Sequence, residues 1–78
     1  MRHSSRPQPG LGLTIRQLRE KRQETQEALA NQAGIAVPTL SHIEAGHANP
    51  TWGTLKGIAA ALSVSMGELG KLADRLDS

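Results

Sequence analysis

The stretch QEALANQAGIAVPTLSHIEA, residues 26–45, decides how this chain folds. Leu29, Ala30 and Ala33 recur at helical spacing, Gly34 follows them, and Ile35, Leu40 and Ile43 make a second apolar set. The pattern predicts two short helices joined by a tight turn. Gly34 stops the first by taking the left-handed conformation that a side chain resists. Ala30 falls at the crossing, where a larger residue would push the helices apart. A pair built this way leaves its second helix facing outward.

Flanking signals extend the helical reading in both directions. Thr25 is an N-cap for the helix that follows, with Glu27 favoured in its first turn. Pro38 fixes a helical φ and pushes Val37 towards extended backbone, which makes Pro38 the expected first residue of the next helix. That helix runs to Glu44 or Ala45 and stops at Gly46. Residues 47–50 form a loop. A fourth helix opens at Thr51 or Trp52 with the stripe Leu55, Ile58, Ala59 and Leu62. Ser65 and Glu68 make a capping box, Val64 and Leu69 a hydrophobic staple, and Met66, Leu69, Leu72, Ala73 and Leu76 the stripe of a fifth helix. Upstream, Leu11, Ile15 and Leu18 mark a first helix over 13–23. Residues 1–12, with Pro7, Pro9, Gly10 and Gly12, read as a flexible basic arm preceding a domain over 13–78. Five helices and no strand candidate give an all-α fold, a compact four- to five-helix bundle.

Bulk properties narrow the chemistry. The 78 residues make one small domain without cysteine, so neither disulfides nor thiolate zinc sites brace it, and a reducing, cytoplasmic setting is expected. The longest apolar run, residues 58–62, is too short to span a bilayer of about 30 Å. No apolar stretch follows the N-terminal arginines, so no signal peptide is expected. Net charge is only +2 but unevenly placed. Arg2, Arg6, Arg16, Arg19, Lys21 and Arg22 face Glu20 alone in the front, while the remainder is mildly acidic. A basic front is what a polyanion would select, and equally what a solvated helix face looks like. His42, Glu44 and His47 do not share a helical face, because Gly46 intervenes, so no metal site is expected. Ser41 and His42 are adjacent and face different ways. No catalytic set, cofactor or small-molecule ligand follows from the sequence.

The spacing in residues 26–45 is that of a helix-turn-helix, whose second helix can enter a DNA major groove. The chain resembles the Cro/C1-type helix-turn-helix family, also called XRE. The resemblance rests on IRQLRE (15–20), TQEALA (25–30), AGI (33–35), TLSHIEAG (39–46), NPT (49–51) and TLKGIAAALSVSMGEL (54–69). It implies a lambda-repressor-like bundle that binds operator DNA, usually as a dimer, and regulates transcription. By the same resemblance, Gln26 holds a phosphate, and Arg19 and Glu44 form a structural pair between the first helix and the end of the third. Arg16, Ser41, His47 and Asn49 complete the expected phosphate set. Val37, Pro38, Thr39 and His42 take the base-reading positions. Ala30 and Glu44, with Arg19 and Gly34, are the structural positions.

Several residues depart from the family pattern. Bases are normally read by Arg, Lys, Asn or Gln, and none stands at those four positions. Val37 and Pro38 can pack on thymine methyls, and Thr39 and His42 can hydrogen-bond. Ala36 replaces a common capping serine, so the third helix is expected to begin late. Gln23 and Glu24 replace a usual glycine and apolar residue, and His47 and Ala48 replace residues that are often basic. The N-terminal arm could reach a minor groove through Arg2 and Arg6, or simply be solvated. Trp52 is expected to pack over the end of the third helix, the alternatives being contact with the DNA sugar-phosphate chain or exposure at the start of the fourth, and residues 65–76 to pair with a second copy or else to cap the core. The reading is a sequence-specific transcriptional regulator binding double-stranded DNA as a homodimer. The alternative is a protein-interaction module or antitoxin-like co-regulator that uses the same bundle.

Overall fold

The computed structural model describes residues 9–77. They form five helices: α1 Pro9–Lys21, α2 Gln26–Ala33, α3 Val37–Glu44, α4 Trp52–Ala61 and α5 Met66–Asp77. The expected all-α bundle is what folds. Each helix supplies at least one fully buried aliphatic side chain: Ile15, Leu29, Leu40 with Ile43, Ile58 and Leu69. Each contributes about 1.5–3 kcal/mol through removal from water. With no Phe or Tyr in the chain, small aliphatic groups must fill the interior, and the helices approach closely to do so.

Local signals end and start most helices as the residues suggest. The Thr25 hydroxyl accepts from the Ala28 N–H at 3.0 Å, and Ser65 Oγ accepts from the Glu68 N–H at 3.0 Å. Thr51 caps α4 by accepting from the Thr54 N–H at 3.1 Å. Gly34 closes α2 at φ 76, and its left-handed turn sends the Ile35 N–H back to the Ala30 carbonyl at 3.0 Å. Ala30 is fully buried at the crossing.

The first helix differs from the reading. It starts at Pro9 rather than residue 13 and ends at Lys21 rather than 23, so residues 9–12 belong to the bundle and not to an arm. The arm's residues 1–8, with Arg2 and Arg6, lie outside the described residues. Proline suits a first helical position, where its missing N–H would find no partner anyway. Gly10 and Gly12, which look like loop residues, are crossing residues. A Cβ on Gly10 would lie 2.7 Å from the Ala73 carbonyl oxygen, and one on Gly12 would overlap the Ile43 carbonyl oxygen. The Gly10 N–H also donates to Asp77 Oδ1 at 2.9 Å, so the last turn of α5 places a carboxylate on the positive end of α1. Gly57 plays the same part between α4 and α2, where a Cβ would sit 2.7 Å from the Ala33 carbonyl oxygen.

The turn after α1 carries a penalty. Gln23 replaces the family's usual glycine and adopts φ 59, in the left-handed region, with its side chain exposed. That conformation costs a non-glycine residue about 1–2 kcal/mol. Glycine there adds chain entropy to the unfolded state worth about 0.5–1 kcal/mol. Gln23→Gly should therefore stabilise by roughly 0.5–1 kcal/mol, a rise of a few degrees in Tm for a domain this size. A drop in Tm on thermal melting would show that the Gln23 side chain holds the turn.

Candidate nucleic-acid interface

The third helix is anchored along one side. Leu40, Ile43 and Glu44 are buried, and Val37 packs partly against the core. Pro38, Thr39 and His42 are exposed on the opposite side, with Ser41 half-buried between. Of the four expected base-reading residues, the structure thus turns three outward and commits much of Val37 inward. The helix begins at Val37, one residue earlier than expected, with Ala36 as N-cap in extended backbone (φ −75, ψ 148). Proline at the second helical position is tolerated because first-turn N–H groups have no partner within the helix. Ala36 gives no side-chain cap, so the exposed start of α3 is left without the hydroxyl acceptor a serine would bring.

Glu44 fixes this helix to the rest of the bundle. Arg19 grips it with two hydrogen bonds, Nε to Oε2 at 2.8 Å and Nη2 to Oε1 at 3.0 Å. The side chains are 11% and 3% exposed, respectively. Arg19 Nη1 also donates to the Glu24 carbonyl at 2.7 Å, so one guanidinium joins α1, the following loop and α3. The hydrogen bond to Glu44 raises the Arg19 pKa above its ordinary value, outweighing the opposing effect of burial. Gln26 completes the group by donating from Nε2 to Glu44 Oε1 at 3.0 Å.

That last bond changes what Gln26 can offer. Expected at a phosphate, its amide instead has one N–H turned to Glu44, leaving the second N–H and the carbonyl. Gln26 lies at the first position of α2, beside an open polar depression of about 300 Å³ lined by Arg16, Arg19, Gln26, Ser41, Glu44 and Ala45. Arg16 and Ser41, two of the expected phosphate residues, therefore share one hollow with Gln26. His47 and Asn49 stand apart from it in the exposed loop after α3, where the His47 N–H donates to the His42 carbonyl at 2.9 Å.

Among the described residues of the basic front, Arg16, Arg19 and Arg22 each meet a carboxylate. Arg16 pairs with Glu20 at 3.1 Å on the surface, and Arg22 Nε donates to Glu24 Oε1 at 3.4 Å. Glu24, half-buried, also accepts from Gln32 Nε2 at 3.4 Å, which is how a carboxylate replaces the usual apolar residue in that loop. The Arg16–Glu20 pair is an i,i+4 contact within α1 that spacing alone offers, whereas the contacts of Glu24 with Arg22 and Gln32 depend on where the loop after α1 brings it. One further signal was readable: a carboxylate at 44 continues the buried stripe of Leu40 and Ile43, so it demanded a partner.

Trp52 does not pack as expected. It is 68% exposed at the first turn of α4. Among the described residues no group of His, Asp or Glu could hold a metal ion, and no helix is long and apolar enough to cross a membrane.

The geometry has clear counterparts. A family model described as Helix-turn-helix matches residues 15–69. No curated protein sequence matches the chain. Among solved structures, the chain is similar to the restriction-modification controller protein C.AhdI from Aeromonas hydrophila, with 28% identity and a TM-score of 0.76. That match covers 78% of this chain and 92% of the other. The controller protein C.Esp1396I, solved as a tetramer with its natural 35 base-pair operator, matches at 25% identity and a TM-score of 0.77 over 86% and 88% of the two chains. The clp gene regulator ClgR from C. glutamicum shares the fold at a TM-score of 0.84 and 22% identity, over 91% and 92%. A buried Arg19–Glu44 clamp, a glycine-closed turn and a family match over residues 15–69 converge: the chain belongs to the Cro/C1-type (XRE) helix-turn-helix family of DNA-binding transcription regulators.

Proposed function

We propose that α3 enters the major groove of an operator with Pro38, Thr39 and His42 against the bases, and that Arg16, Gln26 and Ser41 hold a phosphate at the start of α2. The observation that carries this reading is the division of α3 into a face locked to α1 through Glu44 and a face on which Pro38, Thr39 and His42 stand exposed. Thr39 and His42 supply the hydrogen-bonding part of base recognition, Pro38 contact with thymine methyls, and Val37 only its outward edge. His47 and Asn49 reach the flanking backbone from the loop. The active species is a homodimer, in keeping with two-fold operators. Its place is the cytoplasm, where a bacterial operator lies.

Electrostatics set the expected strength. Of the three arginines beside the candidate interface, Arg19 is committed to Glu44, whereas Arg16 and Arg22 are held only in partly exposed surface pairs and can exchange a carboxylate for a phosphate. Each phosphate contact contributes about 0.9 to the slope of log affinity against log salt. Binding to duplexes selected from random DNA should therefore weaken with salt on a shallow slope, and Arg16→Ala should lower that slope by about 1. His42→Ala should relax base preference at one position by about 1–3 kcal/mol instead. The pairing of these arginines with carboxylates and the apolar start of α3 also suit the second reading, a bundle that binds a protein partner. Affinity indifferent to salt, with no sequence preference, would favour that partner over DNA.

A further inference from the structure

Between α1 and α5 lies an open hollow of about 310 Å³ that no residue of α3 lines. Its apolar walls come from Leu18 on α1 and from Leu72 and Leu76 on α5. Leu76 is 43% exposed, so a large apolar side chain stands in water there. Two cations share the lining, Lys21 at the end of α1 and Arg75 in the last turn of α5. Among the described residues neither has an ion-pair partner. No carboxylate lines the hollow: Glu20 is turned to Arg16 at 3.1 Å, and Asp77 accepts from the Gly10 N–H at 2.9 Å. Thr14 completes the wall, and its hydroxyl is the one buried side-chain polar atom among the described residues without a hydrogen-bond partner. Buried hydroxyls are ordinarily paired, so the α1–α5 seam is less fully satisfied than the rest of the bundle.

We infer that this hollow binds a small amphiphile, a single anionic head on a medium-length alkyl chain. The chain lies on Leu18, Leu72 and Leu76, and the head meets Lys21 and Arg75. Charge selects the head. Two cations from opposite walls, with no carboxylate in the lining, attract an anion, repel an amine and offer a neutral group little. Size selects a small molecule over a protein. The volume sits at the low end of the range of about 300–1,000 Å³ for small-molecule sites, whereas a stable protein contact takes about 800 Å² from each partner. The inference goes beyond the DNA reading and shares no residue with it, so either can fail without the other.

Titration of the full chain with octanoate, below its micelle concentration and without DNA, tests this. Saturable amide shifts should centre on Thr14, Leu18, Lys21, Leu72 and Leu76. Trp52 does not line the hollow, so its emission should stay constant. Affinity should rise about fourfold per methylene from butanoate to octanoate, then level off once the chain outgrows the hollow. Octanol and octylamine should bind about tenfold more weakly than octanoate. Lys21→Gln and Arg75→Gln, both at exposed positions, should each weaken octanoate binding about two- to fivefold with unchanged helical circular dichroism. Absence of saturable shifts, equal binding of octanol, or wild-type affinity in both variants overturns the proposal. So does affinity that keeps climbing with chain length while Trp52 emission moves, the behaviour of general partition onto apolar surface. Shifts at the same residues that follow protein concentration without octanoate would give the hollow to a second copy, and overturn it too.

Discussion

Glu44→Ala should destabilise the fold by about 3–5 kcal/mol, the range for breaking a buried pair by removing one partner. The carboxylate is 3% exposed and accepts three side-chain hydrogen bonds, two from Arg19 and one from Gln26. Its loss leaves the Arg19 guanidinium, only 11% exposed, without its counter-charge. Against a total stability of about 4–12 kcal/mol for a chain this long, that is a large fraction. Glu44→Gln should lose less, because it keeps the shape and one acceptor. Replacing both partners by apolar residues of similar volume should lose least, since a buried pair is offset by its own desolvation. The pH dependence follows in sign. Arg19 has a folded pKa above its unfolded value, so its stabilisation is complete below the unfolded pKa and fades only as pH rises through the folded one, in strongly alkaline solution. Urea unfolding of the three variants at neutral pH checks the order. A loss under about 1 kcal/mol for Glu44→Ala would place the pair among surface salt bridges.

Gly12→Ala gives the second large effect, and its sign alone is informative. On an open helix surface, alanine in place of glycine gains about 1 kcal/mol. At position 12 the added methyl would collide with the Ile43 carbonyl oxygen, in the turn that holds Glu44. The first helix cannot slide away, because Gly10 is held by Asp77 and Arg19 by Glu44. The expected result is a loss of about 1–3 kcal/mol, or more if α3 shifts and the Arg19 clamp loosens with it. Gly53→Ala, with nothing within 4 Å of its Cβ position, is the control and should gain slightly. Thermal melts of both variants decide the matter, and a stabilised Gly12→Ala would mean that α1 and α3 do not cross there.

What was legible in the sequence was what neighbouring residues decide. Thr25, Ser65 and Gly34 act within a turn of where they stand, so caps and the hinge were readable from residue type. The periodicity of Leu29, Leu40 and Ile58 named the core. The start of α1 was not readable. Gly10 and Gly12 carry the same local signal as loop glycines, and only their meeting with Ala73 and Ile43 reveals them as crossing points. Trp52 took the less favoured of its readings: apolar character predicts burial somewhere, yet it stands 68% exposed at the start of α4. At the candidate interface, family resemblance pointed to Arg19 with Glu44, and the coordinates supplied the geometry. Gln26's bond to Glu44 was beyond reach, because it joins residues 18 apart in sequence through a carboxylate already engaged. The charge asymmetry misled in part, since counting cations along the chain ignores the carboxylates that fold back onto them.

Amide chemical-shift mapping during titration with a duplex selected from random DNA tests the central claim most directly. The account predicts the largest shifts at Thr39, Ser41 and His42 in α3 and at Gln26 in α2, fading as salt is raised. Shifts confined to α4 and α5, with the outer face of α3 unmoved, would contradict it.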